Sequence, residues 1–377
     1  MGIQRMAICI PTYREKPLLL DIIALERNIQ AFYNRKIYFL VPKGLNTSWY
    51  EEVFKDLEII RFDKAWFASM EAYNQMLMNL EFYRNLANMG LDFILICQLD
   101  VWVFHDSIND FVDLHYDYIG APTLVRMNEQ GEPELFGANG GFSLRRVSTF
   151  MRILDAHKVE ADQWTGNEDE FFSFCGEKYP KEFRVAPKDI AMRFAFDRFS
   201  RYMYRKNQKR LPMAWHGWLT YDPEFSHRFI VSEHMQDIEC KMNFRTYTDA
   251  MREFHSFVGM FPCIYIYGAG LWGKAVFQYL KAKNVMVRWF IVSDDQPLGE
   301  GAYQGVSIYH LSEICENVKG CGVIFSIGKR YLAEETAKRL DDNIRNGGFQ
   351  HLLYLDAVTY NGIVEELLAI QERGVTV

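Results

Sequence analysis

No stretch of this chain approaches 18 consecutive apolar residues, so no segment is expected to span a membrane. No CxxC pair occurs among its seven cysteines, which stand scattered from Cys9 to Cys321. That spacing argues against a disulfide framework and against a thiolate metal site; the cysteines read as reduced core thiols. No apolar leader precedes the strand-like MAICIPTY, and a cytoplasmic location is expected. An excess of positive charge is also missing. The formal net charge is −7, so bulk electrostatics give no support for nucleic-acid binding. There is no internal repeat and no low-complexity tract.

Aromatic residues are plentiful, at 15% of the chain. They suit large cores or stacking surfaces. Positive charge is concentrated in one place, Arg198–Arg210, as RFSRYMYRKNQKR. Solvated surface is the plain reading of that run. Peripheral contact with an anionic membrane, at its inner face, is the sharper one.

The first 220 residues alternate strand-like and helix-like patterns. Strands are expected at Met6–Ile10, Lys36–Val41 and Leu57–Phe62, and helices at Leu18–Phe32 and Trp66–Met89, the latter ended by Gly90. This rhythm predicts an α/β fold with a mostly parallel sheet. A change of pattern near residue 222 predicts three parts: a first domain over 1–222, a helical connection over 223–261, and a second βα series over 262–377.

Within the first part, DFILICQLDVWVF places the apolar Phe93–Cys97 before Gln98, Leu99 and Asp100. A strand buried on both faces reads as such a run, and ligands of open α/β sheets meet the strands' carboxyl ends. Asp100 is therefore a candidate ligand-facing acid, with a turn cap as the alternative. Four segments accompany it: DYIGAP (117–122), GANGGFSLRR (137–146), GNEDEFF (166–172) and LPMAWHGW (211–218). The pair Gly140-Gly141 permits dihedrals closed to other residues and a close backbone approach, with N–H groups open to an anion. Asn167 and Glu170 fit a capping box, which leaves Asp169 as a candidate general base. His216 lies between Trp215 and Trp218, a pattern suited to stacking on a sugar or base and to holding a metal or diphosphate oxygen.

The ordered series QLD, DYIGAP, NGGFSLRR, NEDEFF and WHGW resembles a group of glycosyltransferase-like proteins found in surface-glycan gene sets, over roughly residues 5–220. The resemblance implies a GT-A-type fold that binds a nucleotide sugar, with a mixed, mostly parallel sheet and flanking helices. It implies hexosyl-type transfer to a surface-glycan, lipid-linked or other acceptor, by an inverting route. In that family Pro11, Thr12 and Tyr13 would hold the base, and Gln98-Leu99-Asp100 replaces an Asp-x-Asp. Gln98 would then bond the ribose, while Asp100 and His216 would hold Mn²⁺ or Mg²⁺. The resemblance further implies that Asp169, or Glu168 in its place, acts as base. Gly140, Gly141 and Trp215 would line the sugar site.

In the last part, Gly268-x-Gly270-x-x-Gly273 follows a strand and opens a helix, the context of the dinucleotide fingerprint. Asp294 or Asp295 ends the next strand, where a ribose-binding acid would sit. The segment resembles small Rossmann-like modules attached to bacterial sugar-modifying enzymes, which implies either a bound nucleotide there or a module that only packs. Two other functions compete with glycosyl transfer: an NAD(P)-dependent sugar oxidoreductase using this last part, and a non-catalytic sugar- or partner-binding protein.

Overall fold

The opening apolar run forms β1, Met6–Pro11, in a computed structural model that describes residues 5–54, 58–230, 245–314, 318, 320–327 and 334–373. The strands that follow are β2 (Lys36–Pro42), β3 (Glu58–Phe62), β4 (Phe93–Cys97), β5 (Val101–Val103) and β6 (Tyr118–Gly120). A hairpin of β7 (Leu124–Met127) and β8 (Pro133–Phe136) leads to β9 (Phe142–Arg146). Six of these make one sheet in the order β3-β2-β1-β4-β9-β6. β1 to β4 run parallel, and β9 is antiparallel to both its neighbours. This is the mixed, mostly parallel sheet that was expected.

Why β4 lies at the centre is visible in its side chains. Phe93, Leu95 and Cys97 enter the core on one face, and Ile94 and Ile96 enter the core on the other. All five are fully buried, which is why the run lacks polar alternation. Two short strands, β10 (Ala195–Phe196) and β11 (Ala214–His216), join β5 in a separate sheet ordered β10-β11-β5. Buried Asn28 fixes β5 from a neighbouring helix, donating to the Val101 carbonyl at 2.7 Å and accepting from the Val103 N–H at 2.9 Å.

The helix expected over Trp66–Met89 is broken. The chain makes a short 3-10 turn at Lys64–Phe67, then helices Met70–Leu77 and Leu80–Asn88. Ser69 and Asn79 cause the breaks: each side chain accepts from an N–H two or three residues on, which starts a new helix. Gly90 ends the last one with φ +81°.

The described residues divide into two compact units. One comprises 5–124, 135–220 and 230; the other comprises 125–134, 221–229 and 245–373. The connection expected over 223–261 includes residues 231–244, which lie outside the described residues; Tyr247–Gly259 is a helix. The second unit carries β12 (Ile264–Tyr267), β13 (Val287–Val292), β14 (Ala302–Tyr303), β15 (Val306–His310), β16 (Gly322–Phe325) and β17 (His351–Tyr354). Their order is β14-β15-β13-β12-β16-β17. Five are parallel, and only the edge strand β14 is antiparallel. The β14–β15 hairpin was missed in the sequence. Its turn puts Gln304 at φ +46° and Gly305 at φ +82°, and Gly305 was the available signal.

Candidate active site

β1 and β4 are neighbours, so the loops after them open side by side at the carboxyl end of the sheet. Between them lies a cavity of about 480 Å³, lined by Pro11, Thr12, Tyr13, Gln98 and Asp100, with Tyr73 and Asp21 beside them. The first loop is held from below. Thr12 donates its N–H to the Leu40 carbonyl at 3.0 Å, and its hydroxyl meets the Tyr50 hydroxyl at 2.7 Å. Tyr50 in turn donates to the Arg14 carbonyl at 2.8 Å. Tyr13 is 58% exposed; the Arg14 guanidinium lies 5.4 Å from its ring centroid and donates to its hydroxyl at 3.4 Å.

His216 reaches Asp100 because β11 runs antiparallel to β5, in a register that pairs His216 with Val101. The Gly217 N–H donates to the Asp100 carbonyl at 3.0 Å and fixes the same approach. His216 Nε2 lies 3.3 Å from Asp100 Oδ1 and 3.1 Å from Gln98 Oε1. On the far side of the ring, Nδ1 lies 3.3 Å from Oδ1 of Asp197. Asp197 is buried, and its other oxygen accepts from the Thr123 hydroxyl at 2.8 Å. Burial alone would push the His216 imidazole towards neutrality, but the Asp100 and Asp197 carboxylates hold its pKa well above the ordinary value. Asp100 is affected in the opposite sense. Burial raises its carboxyl, and the facing imidazolium brings it below the usual range. Among the described residues, no group of three or more His, Cys, Asp or Glu side chains could hold a metal ion.

The glycine pair serves close approach rather than unusual dihedrals. Gly137 has φ +68°, whereas Gly140 and Gly141 stand outside the left-handed region. A Cβ on Gly141 would lie 2.3 Å from His216 Nε2 and 2.7 Å from Gln98 Oε1; one on Gly140 would lie 1.9 Å from a Glu168 carboxylate oxygen. Neither N–H is left for an outside anion. The Gly140 N–H donates to Asp169 Oδ2 at 3.3 Å, and the Gly141 N–H to Asn139 Oδ1 at 2.8 Å.

The helix Glu168–Lys178 begins beside this turn. Glu170 reaches back to the Asn167 N–H at 3.3 Å, as a capping box requires. Glu168 and Asp169 then take different environments. Glu168 is buried and accepts from Arg145 Nη2 at 2.9 Å. Arg145, fully buried, also donates to the Tyr83 hydroxyl, the Ser143 hydroxyl and the Gly140 carbonyl. Asp169 is half-buried beside two further acids. Burial, then the Glu168 and Glu170 charges, push its carboxyl up to about 7.

Trp215 is placed otherwise than the sequence suggests. It is 1% exposed and packs edge-on against Phe196, with centroids 5.7 Å apart, so its faces belong to the core. Trp218 is likewise buried, against Trp102. The residues the sequence did not mark are Asp197, Arg145, Asn28 and Tyr50. Arg145 lies within GANGGFSLRR but is not singled out there, the other three stand in no marked segment, and each acts through a partner distant in the chain. Arg198–Arg210 holds the helix Ser200–Lys206 and two successive left-handed residues, Gln208 and Lys209. Arg198, Arg201, Arg205 and Lys206 are all engaged in contacts of their own. No described helix is long and apolar enough to cross a membrane.

In the second unit, Gly268, Gly270 and Lys274 line a larger cavity of about 780 Å³, together with Asp295, Tyr303 and Arg339. Asp294 is turned away from it. Its carboxylate accepts from the Ser312 N–H at 3.0 Å, which holds its pKa below the usual range.

A family described as a protein of unknown function (DUF5672) matches residues 56–216 of the 377. No curated protein matches. Among solved structures, the chain is similar to mouse xyloside xylosyltransferase 1 in its apo form, with a TM-score of 0.40 and 11% identity over 57% of this chain and 98% of that one. It is similar to the glycosyltransferase GlyE of Streptococcus pneumoniae TIGR4, with a TM-score of 0.37 and 12% identity over 98% and 99% of the two chains. A glycosyltransferase involved in glycosylation of the major capsid of PBCV-1 gives 0.34 and 12%, over 59% and 98%. Likeness at these scores assigns no role to any residue.

Proposed function

We propose that the first unit is a glycosyltransferase that moves a sugar from a nucleotide-diphosphate donor to a hydroxyl of a surface-glycan, lipid-linked or other acceptor. The observation that carries this reading is the cavity at the carboxyl ends of β1 and β4, where Tyr13, Gln98 and Asp100 converge beside the His216 ring. Tyr13 offers a stacking face for the base, and the Gln98 amide suits a ribose hydroxyl.

Asp100 and His216 would hold a divalent cation, Mn²⁺ or Mg²⁺. The fit rests on one carboxylate and one imidazole converging within 3.3 Å, with Asp197 behind the ring as an orienting partner. Bound there, the ion would neutralise charge on the leaving diphosphate. Loading it requires His216 to give up its proton, so ion binding favours higher pH.

The reaction we infer is a single displacement with inversion. The acceptor oxygen bonds to the anomeric carbon as the bond to the diphosphate oxygen breaks, and Asp169 takes the hydroxyl proton. A carboxylate whose pKa is near 7 is matched to that task. Glu168 is the weaker candidate, because its Arg145 ion pair occupies it. Asp169 is tied through Gly140 to the same turn whose Gly141 packs on His216, which links base and donor site.

The test is turnover of a panel of nucleotide sugars with and without Mn²⁺, alongside donor binding by calorimetry. Asp169→Asn should abolish turnover and leave donor affinity within about twofold. Wild-type-like turnover in that variant, or no nucleotide-sugar binding by the wild type, overturns the reading.

A further inference from the structure

The second unit contains a cavity that the glycosyl-transfer reading does not use. The strand order of its sheet sets the location. From central β12 the chain moves outward through β13 to β15, then returns to the other side of β12 for β16 and β17. The reversal puts a topological switch point at the carboxyl end of β12, and Gly268–Gly273 follows that end directly.

Two of the three glycines are explained by the fold itself. Gly268 has φ +104°, a value L side chains rarely adopt. Gly273 packs against the turn that follows β12, where a Cβ would lie 1.9 Å from the Gly268 carbonyl oxygen. Buried Ser326, just past β16, holds the loop by donating towards the Tyr267 and Gly268 carbonyls at 2.8 and 3.0 Å. Gly270 has no such internal reason. Its φ is −76°, and a Cβ built on it would meet nothing within 4 Å. It caps the twelve-residue helix Leu271–Ala282 and faces the cavity of about 780 Å³. Among the described residues nothing fills the space beside Gly270, so the backbone at this helix N-terminus is open to an approaching ligand.

The cavity's chemistry identifies the ligand class. Lys274, one turn into the helix, and Arg339 supply positive charge near the helix N-terminus, which suits a diphosphate. Asp295, past the end of β13, lines the same cavity, where a carboxylate can accept from both hydroxyls of a ribose. Its neighbour Asp294 is committed to Ser312, so the two adjacent acids have separate tasks. The volume falls within the range of ordinary small-molecule sites.

We propose that this unit binds a nucleoside 5′-diphosphate with an unsubstituted ribose diol, its phosphates at Gly270 and Lys274 and its diol at Asp295. Dinucleotides and nucleotide sugars both carry that group. The site is separate from the donor cavity of the first unit and does not depend on that unit's activity.

The experiment is calorimetric titration of the full chain carrying Asp100→Ala, which disables the first unit's donor site, with ADP-ribose, NAD, NADP and UDP-glucose. At least one of the three ligands whose adenosine or uridine ribose keeps its diol should bind, and whether it is a dinucleotide or a nucleotide sugar identifies the source. NADP, whose 2′-phosphate would face Asp295, should bind at least tenfold more weakly than NAD wherever NAD binds. Adding Gly270→Asp should weaken binding at least tenfold without lowering the melting temperature, because Asp is a favoured helix cap and its charge repels phosphate. Asp295→Ala should weaken binding about tenfold and shrink the discrimination against NADP. Absence of binding by all four ligands to the Asp100→Ala protein, or undiminished binding after Gly270→Asp, overturns the proposal. If the first unit's assignment fails instead, wild-type and Asp100→Ala proteins will titrate alike, with binding still lost in Gly270→Asp.

Discussion

Asp197 lies 3.3 Å from Nδ1 of His216, on the opposite edge of the ring from Asp100. The imidazole is thus held between two carboxylates, and both favour its charged form. Asp197 acts on the site through the ring, since its second oxygen is taken by Thr123. Asp197→Asn removes one of the two charges that raise the His216 pKa. That pKa should fall, followed by the ring proton's chemical shift in an NMR titration. The linked stability change has a defined sign. A histidine whose folded pKa is raised adds stability below about pH 6.5 that is lost as pH rises through the folded value. The variant should therefore lose most stability near pH 6 and least at alkaline pH, by about 1–3 kcal/mol at the acidic end. An equal loss at both pH values would mean that Asp197 serves packing alone.

Arg145 and Glu168 form an almost completely buried ion pair, at 0% and 5% side-chain exposure. Removing one partner leaves the other charged and unpaired in the core. Glu168→Gln should cost about 3–5 kcal/mol in denaturant unfolding. Because Arg145 also holds the Gly140 carbonyl, loosening of that turn should accompany the loss. A stability loss under about 1 kcal/mol would show that Glu168 is free for another role.

Much of this site was legible in the sequence, for a physical reason. Strand ends and tight turns impose local demands, so Asp100, Gly141 and Asp169 stand out against apolar or glycine neighbours. Asp197 does not, because its partner lies 19 residues away and meets it only after folding. Arg145 sits in a segment that does stand out, but its pairing with Glu168, 23 residues on, is made only after folding. Trp215 misleads for a related reason: a tryptophan beside a histidine reads the same whether its ring faces a ligand or Phe196. The fold followed the same rule. The parallel strands were visible as apolar runs, whereas the breaks at Ser69 and Asn79 depended on single side-chain bonds inside a pattern of helical spacing.

Gly141 gives a geometric test of the donor site. A methyl group there would lie 2.3 Å from His216 Nε2, too close for either to stay in place. Gly141→Ala should displace the ring from Asp100 and weaken nucleotide-sugar binding about tenfold or more. The overpacking should cost about 1–3 kcal/mol of stability. Calorimetry of donor binding checks the first and thermal unfolding the second; unchanged affinity would remove the His216–Asp100 pair from the site.

Asp169 makes the last prediction, because its raised pKa has consequences for both rate and stability. Its carboxyl titrates near 7 in the folded chain and near 3.9 when unfolded. Between those values the folded state holds the extra proton, so stability falls as pH rises from about 4 to about 7. Asp169→Asn removes that dependence. The variant should match the wild type near pH 4 and exceed it in melting temperature at pH 8, while its turnover is lost. For the wild type, kcat/KM should rise with pH and level off above about 7, as a base is freed of its proton. A variant that is less stable than the wild type at pH 8 would mean that the Gly140 and Glu170 N–H bonds to Asp169 outweigh the crowding of acids around it.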